Sequence, residues 1–288
     1  MTARTVLAPA KVNLFLHVGP VDADGYHPLT SLVAFADVGD RVTIEPADRL
    51  SLTVEGPFAA GLDRPDDNLI LRALRALGAA AGIGEPRLAV TLDKRLPIAA
   101  GLGGGSSDAG AALRLTRDSL GLTLTDDALA DIAASIGADG PMCLHARTAW
   151  AEGRGERLAF EPRLPPLPAL LINPGVASPT GSVYRAYDAG PPAGADRPPP
   201  PPDWSVAPVI DWLAEQRNDL QDVAVARAPA IGEALAAAAA LPAVRLARMS
   251  GSGATVFALF DTPAAAGSAG RRLAANHPRW WIAPTNLA

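Results

Sequence analysis

Between residues 97 and 108 the chain reads Pro97-Ile98-Ala99-Ala100-Gly101-Leu102-Gly103-Gly104-Gly105-Ser106-Ser107-Asp108, and no other stretch constrains the fold as tightly. A strand is predicted before it, over 88–92, and a helix after it, over 107–119, with Ala112, Leu115 and Leu120 on one face. Glycine lacks a β-carbon, so the backbone there can take positive φ and approach a ligand closely. The first turn of the following helix leaves N–H groups without intrahelical acceptors, and the helix dipole adds partial positive charge. With the hydroxyls of Ser106 and Ser107, this combination suits an anion, a di- or triphosphate being the natural guest. A tight turn with a serine cap is the plain alternative. Such a turn needs one or two glycines, whereas four fall within 101–105 and permit an extended concave loop. No lysine stands where a Walker loop requires one, and G-x-G-x-x-G is unmatched.

Bulk properties narrow the partners. A formal charge of −5 gives no basic field for nucleic acid, so a small diffusible partner fits better. Cys143 is the sole cysteine, which rules out an internal disulfide and a thiolate zinc cluster, and suits a reducing cytoplasm. Lys11 interrupts the N-terminal apolar stretch, and no apolar run approaches membrane-spanning length, so a soluble cytosolic protein is expected.

At 288 residues two lobes are expected, and a composition change after 161 places the boundary between 1–161 and 162–288. Strands are predicted at 12–18, 32–35, 41–45 and 50–54, and a helix at 68–81 with Asn68 as cap. A second helix is predicted at 126–136, capped by Thr125. The later half adds a hairpin at 148–160, a strand at 169–172, an alanine-rich helix at 231–240, strands at 244–249 and 255–260, and a helix at 264–275. Residues 190–203, with five consecutive prolines, offer too few amide donors for helix or sheet and should form an extended loop.

These features together resemble the GHMP kinases. Ala8-Pro9-Ala10-Lys11-Val12-Asn13-Leu14 is similar to the superfamily's first motif, the glycine-rich loop to its second, and Met249-Ser250-Gly251-Ser252-Gly253-Ala254-Thr255 to its third. Asp24-Gly25-Tyr26-His27, Gly137-Ala138-Asp139, Gly153-Arg154-Gly155-Glu156 and Asn218-Asp219-Leu220 resemble the branch acting on a diphosphocytidyl-linked polyol, not the homoserine, mevalonate or galactose kinases. Two positions depart from that branch: Gly140 replaces its usual valine, and Pro97-Ile98-Ala99-Ala100 stands where methionine and glycine are frequent.

The resemblance implies an α+β fold with an N-terminal lobe like ribosomal protein S5 and a C-terminal ferredoxin-like lobe. It implies an ATP-dependent kinase, using Mg2+, that phosphorylates a hydroxyl of a small cytidine diphosphate substrate in isoprenoid precursor synthesis. Residues 97–107 would wrap the ATP phosphates. On a strand, Lys11 and Asn13 project to one face, and a lysine among apolar neighbours needs a partner. By resemblance that partner is Asp139, taking the proton of the substrate hydroxyl while Lys11 orients the carboxylate; a buried ion pair joining two elements is the alternative. The resemblance also implies that Tyr26 and Tyr184 sandwich the base, that His27 reads its polar edge, and that Thr180 and Asn13 hold the rest. An ordinary core tyrosine is the alternative for Tyr184. Asp108 is expected to complement the helix dipole, and Gly251-Ser252-Gly253 to turn between two strands.

Overall fold

The computed structural model describes residues 2–62, 67–191 and 193–288. In chain order the strands are β1 Arg4–Asn13, β2 His17–Val18, β3 Leu29–Pro46, β4 Ser51–Glu55, β5 Leu88–Asp93, β6 Ala149–Gly153, β7 Arg157–Phe160, β8 Leu167–Asn173, β9 Val244–Met249, β10 Val256–Phe260 and β11 Trp281–Leu287. The helices are α1 Leu69–Ala80, α2 Gly104–Leu120, α3 Asp126–Ile136, α4 Gly140–His145, α5 Thr180–Tyr187, α6 Val206–Ala214, α7 Gln221–Arg227, α8 Pro229–Ala239 and α9 Pro263–Asn276. They form two compact units. The first draws on the chain up to Ala10, on Val38–Ile98 and on Gly103–Ala146; the second on Lys11–Asp37, Ala99–Leu102 and Arg147–Ala288.

In the first unit, β5 alternates buried and half-buried residues, the period of a strand with one covered face. It pairs antiparallel with β3, Val42 opposite Leu92, and parallel with β4, Leu52 opposite Val90. The parallel pair is joined through α1, whose Asn68 cap accepts the Ile70 N–H at 2.9 Å. Thr125 caps α3 in the same way, accepting Ala128 N–H at 3.1 Å, and each such cap contributes about 1 kcal/mol. Val42, Ile44, Leu88, Val90 and Leu92 pack against Ile70, Leu74, Ala111, Ala112 and Leu115. A second cluster joins α1, α2, α3 and α4 through Leu77, Leu113, Leu129 and Leu144.

In the second unit every residue of β8 is buried, as its continuous apolar run requires of a central strand. It pairs antiparallel with β10 on one side and β11 on the other, and β10 pairs antiparallel with β9. The order β11-β8-β10-β9, with α8 leading into β9 and α9 into β11, is the β-α-β-β-α-β topology of a ferredoxin-like sheet. Leu170, Ile172, Met249, Val256 and Phe260 meet Ile231, Ala234, Ala238 and Leu273 in its core. The N-terminal part of β3 pairs with β6, and β6 with β7, the hairpin expected over 148–160.

Several expectations shift. The strand placed at 12–18 is two pieces, the separate strands at 32–35 and 41–45 are one continuous β3, and α2 starts at Gly104, taking in part of the glycine run. The described residues of 190–203 form no regular element, as expected, Pro192 lying outside them. That segment is nevertheless fastened: Ala195 O accepts from Thr30 Oγ1 at 2.5 Å, Gly194 O from Arg217, and Pro199 O from Trp212 Nε1 at 2.9 Å. The Arg197 guanidinium lies 4.0 Å from the centre of the Trp150 ring.

Candidate active site

Three carbonyls in a row hold the middle of the glycine loop in the second unit. Ala100 O accepts the Thr255 N–H at 3.0 Å, Gly101 O accepts the Ser250 hydroxyl at 3.0 Å, and Leu102 O accepts the Lys11 N–H at 2.8 Å. The first and third motifs thus grip the second by its backbone. A β-carbon on Gly101 would lie 2.4 Å from Ser250 O and 2.8 Å from Gly253 O, and φ there is +73°, so glycine is required on two counts. Ala99, within the stretch where methionine and glycine are frequent in the resembled branch, takes φ +51°, a conformation that disfavours a side chain.

Lys11 and Asn13 do share a face. Lys11 Nζ donates to Asn13 Oδ1 at 2.8 Å, Asn13 Nδ2 donates to Ser31 Oγ at 2.8 Å, and Ser31 donates to Phe15 O at 2.6 Å. Both ends of the Asn13 amide therefore have protein partners, leaving one Nδ2 proton and one Oδ1 lone pair for a ligand. Asn218 brackets the third motif, its Nδ2 donating at 2.8 Å to both Met249 O and Gly251 O. Arg248, buried beneath, donates to Leu14 O at 2.9 Å and Gln216 O at 2.6 Å, and its burial pushes the guanidinium down to about 10.

The loop's second part lies in the first unit. Gly103, with φ +61°, caps α2, so the first-turn amides of Gly104, Gly105 and Ser106 have no acceptor within the helix. Ser107 is buried and donates to Pro9 O at 2.7 Å, while Ser106 is only half-buried. A β-carbon on Gly137 would stand 3.9 Å from Ser106 Oγ, so the turn carrying Asp139 runs beside that hydroxyl. Asp139 heads α4; its carbonyl accepts Cys143 N–H at 3.0 Å, and its carboxylate makes no capping bond to the helix. Gly140 departs from the resembled branch for a visible reason: a β-carbon there would lie 2.0 Å from Ala133 O at the end of α3.

The residues expected at the base form two groups in the second unit. Tyr26 is 54% exposed, and the Arg154 guanidinium sits 4.1 Å from its ring centre while pairing with Asp24 at 2.9 Å. His27 is buried, bonded through Nε2 to Asp188 at 2.6 Å, with the Tyr184 ring 5.1 Å away. Thr180 shares a hydrogen bond with Ser252 at 2.9 Å, and Ser178 donates to Ser252 O at 2.6 Å, so the third motif also anchors this segment.

Sequence reasoning missed a buried cluster in the first unit. Asp108 does not stand alone at the helix dipole; it accepts from Lys94 Nζ at 2.9 Å, and Lys94 also donates to Asp40 at 2.5 Å. Ser250, Ser31 and Asn218 were likewise unassigned as supports, although Ser250 and Asn218 lie inside quoted motifs. Among the described residues no group of three or more His, Cys, Asp or Glu is placed to hold a metal ion, and no helix is long and apolar enough to cross a membrane.

Residues 68–147 match the GHMP kinases N terminal domain, and 207–279 the GHMP kinases C terminal model. A 4-diphosphocytidyl-2-C-methyl-D-erythritol kinase of Caulobacter vibrioides (strain NA1000 / CB15N) is 53% identical over 287 residues, covering 99% of each chain. The protein of that name from Methylobacterium radiotolerans is 51% identical over 291 residues, covering 100% of each. A solved 4-(cytidine 5'-diphospho)-2C-methyl-D-erythritol kinase superposes with a TM-score of 0.78 at 36% identity, covering 99% of each chain.

Proposed function

We infer the reaction from one premise: this chain belongs to the 4-diphosphocytidyl-2-C-methyl-D-erythritol kinases, a branch of the GHMP kinases. It is an ATP-dependent small-molecule kinase, and its reaction is transfer of the γ-phosphoryl of ATP to the 2-hydroxyl of 4-diphosphocytidyl-2-C-methyl-D-erythritol in non-mevalonate isoprenoid precursor synthesis. The observation that carries the site assignment is the loop itself. Its middle carbonyls are taken up by the first and third motifs, and its end is the N-terminus of α2, where no side chain caps the first-turn amides. Backbone amides from 97–107 receive the phosphates, with the dipole of α2 adding to them.

Lys11 supplies an ammonium that favours charge on the transferring group, and Asp139 accepts the proton of the attacking hydroxyl. Tyr26 and Tyr184 stack on the cytosine, His27 reads its polar edge, and Thr180 with the remaining valences of Asn13 orients the polyol. Residues 1–161 hold the nucleotide and 162–288 complete the substrate site. The Ser106 hydroxyl would be the protein contact for a magnesium ion carried on phosphate, which would supply charge neutralisation, because Ser107 already donates to Pro9 and Asp108 is held by Lys94.

A coupled ADP-release assay across alcohols tests this reading: turnover is expected with the cytidine diphosphate-linked polyol and to be lost when that group is removed. Equal turnover on homoserine would overturn it. Lys11→Ala and Asp139→Asn are each expected to lower turnover at least about a hundredfold in a folded protein. Near-normal rates in either would remove that residue from the chemistry.

A further inference from the structure

The chain entering the glycine loop and the helix leaving it are tied to one buried carboxylate. Asp40, on β3, is wholly buried. Its Oδ1 accepts the Arg95 N–H at 2.6 Å and the Leu96 N–H at 2.8 Å, the two residues before Pro97. Its Oδ2 accepts from Lys94 Nζ at 2.5 Å, and the same ammonium donates at 2.9 Å to Asp108, one turn into α2. Lys94 Nζ also stands 3.0 Å from where a β-carbon on Gly104 would lie, against the first residue of that helix.

Two carboxylates and one ammonium, all side chains at most 4% exposed, are a poor device for stability alone, since apolar side chains of similar volume do as well or better. What they supply is direction: three donors on the segment 94–96 are fixed to Asp40, and one of them, Lys94, ties that point to Asp108 on α2. Resting on the phosphate-loop reading above, we propose that Asp40 is a positioning residue for phosphoryl transfer. Through the Arg95 and Leu96 amides, and through Lys94 to α2, it sets the separation of the two ends of the loop. Asp108 Oδ2 takes the far end of that link, and its Oδ1 is buried without a hydrogen-bond partner.

The experiment is calorimetric titration of ADP and of adenosine into wild type, Asp40→Asn and Gly103→Ala, with steady-state KM for both substrates. Asp40→Asn is expected to weaken ADP about tenfold and raise KM for ATP similarly, while adenosine affinity and KM for the alcohol stay within twofold. Lys94→Gln, which keeps a donor, is the second variant if Asp40→Asn does not fold, with the same phosphate-dependent loss expected. Equal weakening of ADP and adenosine, or unchanged ADP affinity while Gly103→Ala weakens it, overturns the positioning role and leaves the phosphate loop standing. Unchanged ADP affinity in Gly103→Ala overturns the phosphate-loop assignment itself.

Discussion

The proposed phosphate loop and the proposed base-recognition segment around Tyr26 are built on opposite plans. In the loop, recognition is assigned to main chain, and its surroundings serve to hold that main chain: the Ser250 hydroxyl and the Thr255 and Lys11 amides take its carbonyls, and Gly101 has no room for a single extra carbon. Around Tyr26 recognition is assigned to a side chain more than half exposed, steadied by one arginine that itself stands in solvent. A group recognised by backbone amides is bound wherever the backbone is correctly shaped, so errors there damage fold and affinity together. A group recognised by an exposed ring is separable, so errors there change selectivity and leave the fold alone.

Gly101→Ala breaks the first plan hardest. A left-handed alanine costs about 1–2 kcal/mol and the clash with two carbonyls about 1–3 more, so melting is expected to fall by roughly 10 °C, with weaker ATP binding. A melting temperature within a degree or two of wild type shows that the motifs do not clamp the loop. Tyr26→Ala tests the second plan: loss of a stacked base, on the order of 1–3 kcal/mol, raises KM for the cytidine substrate about tenfold with melting unchanged. If melting falls while KM holds, the ring is structural. The smallest effect sharpens the contrast, because Ala99→Gly relieves a left-handed alanine in the loop and should raise stability by about 0.5 kcal/mol in denaturant titration. A loss of stability instead shows that the positive φ is not strained.

The sequence disclosed what is local. Asn68 and Thr125 announced their helices because a cap is a contact two or three residues away, and strands β8, β9 and β10 showed in their apolar runs and the Gly-Ser-Gly turn, whereas their ferredoxin-like arrangement came from the resemblance. The loop was visible as a motif, but the start of α2 was not: glycine and serine are poor helix formers, and packing of Gly105 and Ser107 against Leu69 and Pro9 decides the matter. Short helices such as α4, α5 and α7 carry too few turns for a period to emerge, and Pro284 hid β11. Asp40 and Lys94 are 54 residues apart, and nothing in either neighbourhood marks them as a pair. At the candidate site, Lys11 and Asn13 were legible from strand alternation, whereas the engagement of the Asn13 amide by Ser31 depends on a second strand.

The proline-rich segment over 194–202 has a one-sided chemistry. Proline has no amide hydrogen, so residues 198–202 can only accept, and the carbonyls that fasten the strap are met by donors of the body beneath: the Thr30 hydroxyl, the Arg217 guanidinium, the Trp212 indole and the His17 ring. Its prolines can therefore drift freely so long as carbonyls remain, while a change at one of those donors unbuckles it from outside.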